Sequence, residues 1–261
     1  MAYQLYSFVA AIVIALLNFF VLSTFQIPNA IIIASCTFFF AFFTYTIDHY
    51  FDGIKGNNPQ LHARHKVSEK GFTIATKGFA LTALVSIYFF SHMHVSFLLA
   101  GLILAFLYGL YYLLIAKKII KSRVKLVAAA VILSLIIAGW IFLNWKNWQI
   151  NLGYFIIVIL SVYSNLRFFA WVDFDYDKKW FSTLVITPIS KQRMMVIQGL
   201  LVVSIFLLGF MIGMGQTWMF IPLTYWLLSA LVDKKNLTGN VARVLLDLIM
   251  LLPVLVWLVV K

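Results

Sequence analysis

Charged residues are scarce in this chain. Asp, Glu, Lys and Arg make up only 11% of its 261 residues, and 64% of the residues are apolar. A soluble globular domain is about a quarter charged and roughly half apolar, so this composition excludes that class and indicates a protein whose solvent is the lipid bilayer. A single cysteine, Cys36, excludes an internal disulfide bond.

Several common functional motifs are also missing. The sequence has no Gly-rich phosphate loop, no Walker lysine, no Gly-x-Ser-x-Gly and no Cys-x-x-Cys, and its histidines form no zinc-type set with cysteine. The net charge of +12 would suggest nucleic acid as the partner of a soluble protein. Here the basic residues lie in short loops between apolar runs, which is the ordinary pattern of a membrane protein, so we expect no nucleic-acid partner.

Apolar runs of membrane-spanning length recur along the whole chain. A bilayer core of about 30 Å needs roughly 20 apolar residues per helix, and helices are the default because an open sheet leaves backbone groups unpaired in lipid. We therefore expect an all-α polytopic membrane protein with one transmembrane domain over residues 1–261, and we interpret the first run as a span, not a signal peptide. The runs predict about nine spans, near residues 5–26, 28–47, 73–92, 95–116, 124–144, 150–172, 194–214, 217–233 and 241–260.

Lysine and arginine are distributed unequally between the two sides of this predicted bundle. The loops after spans two, four, six and eight, with their flanks, contain all of these residues except Lys146 and Lys261. Because loops rich in lysine and arginine stay in the cytoplasm, these loops and the N-terminus are predicted to be cytoplasmic. We accordingly expect an integral protein of the inner (cytoplasmic) membrane of a bacterium.

Four of the eight acidic residues form two pairs with the same spacing. Asp48 and Asp52 follow span two, and Asp173 and Asp177 follow span six, so each pair is an Asp-x-x-x-Asp motif at a cytoplasmic helix end. Four spans separate the pairs, which predicts two four-helix halves plus a ninth helix. A further acid, Asp247, lies four residues after Arg243 within span nine, and we expect a structural pair between these two.

The spacing of the two motifs favours metal and phosphate chemistry. On a continuing helix, residues four apart share a face and lie about 5–6 Å from each other. Mg²⁺ prefers hard oxygen ligands and is commonly held by one or two carboxylates plus substrate phosphates. Asp48, Asp52, Asp173 and Asp177 are therefore the candidate Mg²⁺ ligands, and neighbouring cations would neutralise the remaining phosphate oxygens.

These motifs resemble those of the UbiA superfamily of intramembrane prenyltransferases, which has nine helices and an aspartate motif after helices two and six. The second motif fits the family pattern: Lys178 and Lys179 follow Asp177, and Thr183-Leu184 lies at the expected distance. The first motif departs from Asn-Asp-x-x-Asp-x-x-x-Asp. If Asp52 takes the place of the middle aspartate, Asp48 replaces the asparagine, His49 the first aspartate and Gly56 the last.

The resemblance implies a transferase that moves an isoprenyl group from its diphosphate to a hydrophobic acceptor, with Mg²⁺ as the cofactor. The four aspartates would be the catalytic metal ligands. Lys125, Arg64, Lys178 and Arg167 are the candidate contacts to the substrate phosphates. The aromatic runs on spans two and four are candidates to line an isoprenoid tunnel, or simply to pack within the bilayer.

Three alternatives remain open at this point. The altered first motif allows a non-catalytic relative that binds an isoprenyl diphosphate. A terpene cyclase of the same superfamily would use the same metal site without an external acceptor. A cation-coupled transporter is the third alternative, although transporters usually place their ionisable groups near the bilayer midplane.

Overall fold

The computed structural model describes residues 2–56, 67–92, 95–116, 122–143, 147–180, 189–237 and 240–260, and its regular elements there are all helical. Short 3-10 segments follow α5, precede α8 and lie between α8 and α10. The helices are α1 (Ala2–Thr24), α2 (Ala30–Gly56), α3 (Glu69–Ser91), α4 (Val95–Ala116), α5 (Ser122–Ala138), α6 (Trp148–Trp180), α7 (Lys191–Ile212), α8 (Phe220–Leu231), α9 (Asn240–Leu248) and α10 (Leu252–Val260).

The predicted all-α membrane architecture is confirmed. Within the described ranges, seven helical stretches are long and apolar enough to cross a bilayer. They are Ser7–Thr24, Ala30–Ile47, Glu69–Ser91, Leu126–Leu143, Trp148–Phe174, Lys191–Ile212 and Val241–Val259. Helix α4 has a shorter apolar stretch at Val95–Tyr111, and α8 has 12 residues. The chain is thus a polytopic integral membrane protein, and the count of nine spans stays a prediction.

The chain divides into two compact units, Met1–Leu102 and Ile103–Lys261. In the first unit α2 packs between α1 and α3. Close approach of α2 and α3 depends on Gly78, because a Cβ atom there would clash with the ring of Phe43. The aromatic run of α2 packs within this unit: Phe38 stacks on Phe42, and Phe40 meets Phe79 of α3 edge-on.

Helix α6 is the central helix of the second unit and packs against α5, α7 and α8. A small residue permits the contact with α7, since a Cβ atom at Gly153 would lie 2.8 Å from Ile212. A buried polar contact fixes the same pair of helices: Ser164 donates a hydrogen bond to the Gln198 side chain at 2.6 Å, and Gln198 donates to the Ser164 carbonyl. Such polar contacts between helices replace water as hydrogen-bond partner in the membrane.

One face of α7 is covered by large apolar side chains. Val196, Leu200, Val203, Leu207 and Phe210 are all more than half exposed, and their spacing places them on one stripe of the helix. An apolar stripe of this length would be a liability in water. In a membrane protein it faces the lipid.

The ends of α7 follow from local sequence. Ser190 begins the helix, because its side-chain oxygen accepts a hydrogen bond from the Arg193 amide. Gly213 ends it in the left-handed conformation, with φ of 72°, which glycine adopts without strain.

Candidate functional site

The second aspartate motif lies on one uninterrupted helix. Helix α6 continues to Trp180, whereas the apolar run in its sequence ends at Val172. Asp173 is therefore the first residue after the apolar run, and Asp177 lies one turn beyond it. Positions four apart on a helix share a face, so the backbone has the arrangement that the motif requires. The side chains of Asp177 and Lys178 lie outside the described part of the structure.

Asp173 is buried and forms an ion pair with a residue from another helix. Its side chain is only 8% exposed, and its Oδ2 accepts a hydrogen bond from Nη1 of Arg243 on α9. The guanidinium of Arg243 also lies 4.7 Å from the ring centre of Phe169. One full turn of α6, from Phe169 to Asp173, thus supplies both a carboxylate and an aromatic face to the same cation.

A second cation contacts α6 on a different face. The ammonium of Lys234, in the 3-10 segment Lys234–Leu237, lies 6.0 Å from the Trp171 ring centre and 5.6 Å from that of Phe174. At about 100° per residue, the positions of Trp171 and Phe174 lie roughly 150° around the helix from those of Phe169 and Asp173. The end of α6 is therefore contacted by two cations and presents one described carboxylate. We call Phe169, Trp171, Asp173, Phe174, Lys234 and Arg243 the α6-end cluster.

Buried aromatic contacts hold α9 in position beside this cluster. The Tyr225 hydroxyl of α8 donates a hydrogen bond to the Leu246 carbonyl of α9 at 2.9 Å. The Tyr225 ring stacks on Phe168 of α6, with the two ring centres 4.5 Å apart. Leu246 lies one helical turn after Arg243. These contacts therefore hold the part of α9 from which the guanidinium reaches Asp173.

The first aspartate motif also lies on a continuous helix, since α2 extends to Gly56. The side chains of Asp48 and Asp52 lie outside the described part of the structure. Between them, the His49 ring contacts Tyr45, with 6.2 Å between ring centres. The Tyr50 ring stacks on Phe72 with 4.2 Å between the ring centres, and this contact packs the end of α2 against the start of α3.

The four predicted phosphate contacts lie in different places. Arg64 falls outside the described residues. Lys125 is near the start of α5 and Lys178 near the end of α6, but their side chains are not among those described. Arg167 lies on α6 within the apolar stretch. Among the described residues, its Nε is buried and has no hydrogen-bond partner.

The donor chemistry of the aspartates suits Mg²⁺, which prefers carboxylate oxygens. Among the described side chains, no three from His, Cys, Asp and Glu lie close enough together to hold a metal ion. Three of the four predicted ligands lie outside those side chains, so the metal site stays a prediction.

Sequence reasoning missed the roles of Arg243 and Lys234 in this cluster. Arg243 was expected to pair within its own helix with Asp247, and the partner that the structure shows for it is Asp173. The contact joins positions 70 residues apart, and local spacing carries no information about such a contact. One signal was present: a cation within an apolar segment of membrane length has a high desolvation cost and usually has a specific partner.

No protein-family model, no curated protein and no solved structure matches this chain.

Proposed function

We propose that the protein is a Mg²⁺-dependent intramembrane prenyltransferase, which transfers an isoprenyl group from its diphosphate to a lipophilic acceptor of the aromatic or lipid class. The observation that carries the proposal is the continuation of α6 through Asp173 and Asp177, beyond the apolar run of its sequence. This arrangement gives a carboxylate pair where an amphiphilic substrate would have its diphosphate, with an apolar helix alongside its tail.

The chemical composition of the α6-end cluster supports an anionic and hydrophobic ligand. Two cations, Lys234 and Arg243, contact the helix at the level of Asp173. Three aromatic side chains, Phe169, Trp171 and Phe174, lie among them. Cations stabilise a diphosphate, and aromatic faces suit both an isoprenoid chain and the positive charge that develops on it during transfer.

The proposal gives each predicted residue a role. Asp48, Asp52, Asp173 and Asp177 would hold Mg²⁺, which supplies Lewis-acid neutralisation of the leaving diphosphate. Lys125, Arg64, Lys178 and Arg167 would donate hydrogen bonds to phosphate oxygens, and fixed donors of this kind stabilise charge that builds up in the transition state. The unpartnered Nε of Arg167 is the described feature that favours such a ligand.

A second candidate function is favoured by one specific observation. Arg243 already neutralises Asp173, so this motif also suits a protein that binds an isoprenyl diphosphate without cleaving it. The histidine at position 49, where the related family has an aspartate, favours the same alternative.

The proposal also includes nine membrane crossings, with α4 and α8 completing the seven membrane-length stretches. The N-terminus and both aspartate motifs are placed in the cytoplasm, in the inner membrane of a bacterium. The asymmetry of lysine and arginine supports this orientation.

Release of pyrophosphate tests the enzymatic proposal. Purified protein is incubated with Mg²⁺, geranylgeranyl or farnesyl diphosphate and a membrane lipid extract, and pyrophosphate is followed over time. We expect release that stops with EDTA and falls at least about a hundredfold in Asp173→Asn and Asp52→Asn, in line with the loss of metal ligands. Glu69→Gln is the matched control, because Glu69 is an exposed acid in the first turn of α3.

The outcomes separate the candidates. Metal-dependent release that depends on the aspartates but not on Glu69 supports the transferase. Tight binding of the diphosphate without release favours the non-catalytic relative. Equal release from wild type and Asp173→Asn would overturn the assignment of the second motif.

A further inference from the structure

The ion pair between Asp173 and Arg243 has two partners of unequal accessibility. The carboxylate is 8% exposed and the guanidinium side chain is 22% exposed. A third molecule that approaches this pair therefore meets the cation more readily than the anion. The pair lies where the apolar run of α6 ends and its charged segment begins.

Stability alone is a poor explanation for this pair. Desolvation of two charges offsets most of their attraction, and apolar residues of similar size are often as stabilising as a buried pair. Ionisable residues in membrane helices mark functional sites by default. Aromatic stacking nearby, such as Phe168 on Tyr225, already joins α6 to α8 without an ion pair.

The guanidinium is held in an orientation suited to an anion. Arg243 uses Nη1 for Asp173, and its planar group lies over the Phe169 ring. A guanidinium has five N–H donors in a fixed fork, which matches phosphate as well as carboxylate geometry. The aromatic ring restrains the plane of the group without using a donor, so less rotational freedom is lost when an anion binds.

The charge of a diphosphate favours exchange at Arg243. Lys234 contacts Trp171 and Phe174 on a different face of α6, and together with the adjacent Asp233 it adds no net charge. Arg243 is therefore the cation that would attract an anion here. A diphosphate carries more negative charge than the single carboxylate that it would replace as partner of Arg243.

We propose that Arg243 is an anion-binding residue of the α6-end cluster, and that Asp173 is its resting counter-ion until a diphosphate displaces it. The ligand class rests on the proposed function above.

Binding of inorganic pyrophosphate in EDTA tests this exchange with no metal and no turnover. Affinity is measured by calorimetry on purified protein in detergent, for wild type, Arg243→Gln, Asp173→Asn and Lys77→Gln. Loss of one charged hydrogen-bond partner predicts roughly tenfold weaker binding in Arg243→Gln. Asp173→Asn removes the competitor, so we expect binding tighter than wild type by roughly threefold or more. Lys77→Gln removes an exposed cation of α3 and should leave the affinity unchanged.

The two variants are expected to change pyrophosphate affinity in opposite directions, which distinguishes exchange from a purely structural pair. A structural pair would make Arg243→Gln and Asp173→Asn change pyrophosphate affinity in the same direction, or not at all, and either result overturns the proposal. If Arg243→Gln does not fold, Asp173→Asn still decides, because unchanged or weaker binding in that variant refutes the exchange.

Failure of the proposed function has a different signature. A protein that never releases pyrophosphate from a prenyl diphosphate is not a transferase, yet its metal-free affinities still report on Arg243. Conversely, the protein could release pyrophosphate as a transferase while Arg243→Gln binds pyrophosphate as tightly as wild type. That result would support the proposed function and refute the role of Arg243 in anion binding.

Discussion

Removal of one charge at a time from the Asp173–Arg243 pair should destabilise the protein unequally. Arg243→Gln leaves a carboxylate that is 8% exposed without its cation, whereas Asp173→Asn leaves a guanidinium that is 22% exposed and remains over Phe169. The anion is the more buried of the two groups and has lost more of its hydration. Arg243→Gln is therefore the more damaging change.

The magnitudes follow from the burial of each partner. Breaking a buried ion pair typically costs about 3–5 kcal/mol, and we expect about 3 kcal/mol for Arg243→Gln because the pair lies at the end of the apolar stretch. For Asp173→Asn we expect about 1 kcal/mol, since the cation–π contact and partial exposure offset part of the loss. The double variant has no charge to bury and should also lose about 1 kcal/mol, which gives a coupling of about 3 kcal/mol between the two sites.

Unfolding in mixed micelles with increasing SDS measures the free energy of unfolding for the four proteins of this cycle. Thermal unfolding monitored by helix content provides an independent ranking. The reasoning is refuted if Asp173→Asn is as damaging as Arg243→Gln. It is equally refuted if the two single effects add to the double effect within about 0.5 kcal/mol, the range of independent sites.

Two further predictions concern packing and topology. Gly153→Ala should lower the free energy of unfolding by about 1–3 kcal/mol, because its Cβ atom would lie 2.8 Å from Ile212. Gly109→Ala is the control, because a Cβ atom at that position would have nothing within 4 Å. This control should be neutral or slightly stabilising. A result of equal stability for the two variants would contradict the close approach of α6 and α7. In a Cys36→Ser background, an impermeant thiol reagent added outside intact cells should label His92→Cys and spare Lys70→Cys, since these exposed residues lie at opposite ends of α3; the reverse pattern would invert the proposed orientation.

The membrane helices were predictable because their signal is local. The apolar run predicted at 194–214 corresponds to α7, Lys191–Ile212. The run predicted at 5–26 corresponds to α1, Ala2–Thr24. Each run has enough apolar residues to satisfy the length requirement by itself. Boundaries shifted by a few residues where serine or glycine caps, such as Ser190 and Gly213, set the actual ends.

Breaks within the last two apolar runs were not predicted, and proline accounts for them. The run at 241–260 contains α9, a 3-10 turn at Ile249–Leu251 and α10. Pro253 has no N–H to donate to the carbonyl four residues earlier, so the α-helical hydrogen-bond ladder is interrupted there. Pro222 lies in the first turn of α8, where a missing N–H is tolerated, and a 3-10 segment precedes it.

The site was only partly predictable from sequence, for a different reason. Asp173 and Asp177 were found because an i, i+4 pair at the end of an apolar run is a local pattern. Arg243 reaches Asp173 through the packing of α6, α8 and α9, in which Tyr225 contacts both Phe168 and Leu246. None of these contacts has a fixed spacing in the chain, so a single sequence does not reveal them.

The break before α10 bears directly on the site, because it separates the charged part of the last apolar run from its wholly apolar end. Helix α9 contains Arg243 and Asp247, whereas α10 has no charged residue. The hydrogen bond from Tyr225 to the Leu246 carbonyl holds the first of these two parts against α8. The membrane-length stretch Val241–Val259 therefore contributes a cation to the site from its first part, whereas its last part is wholly apolar.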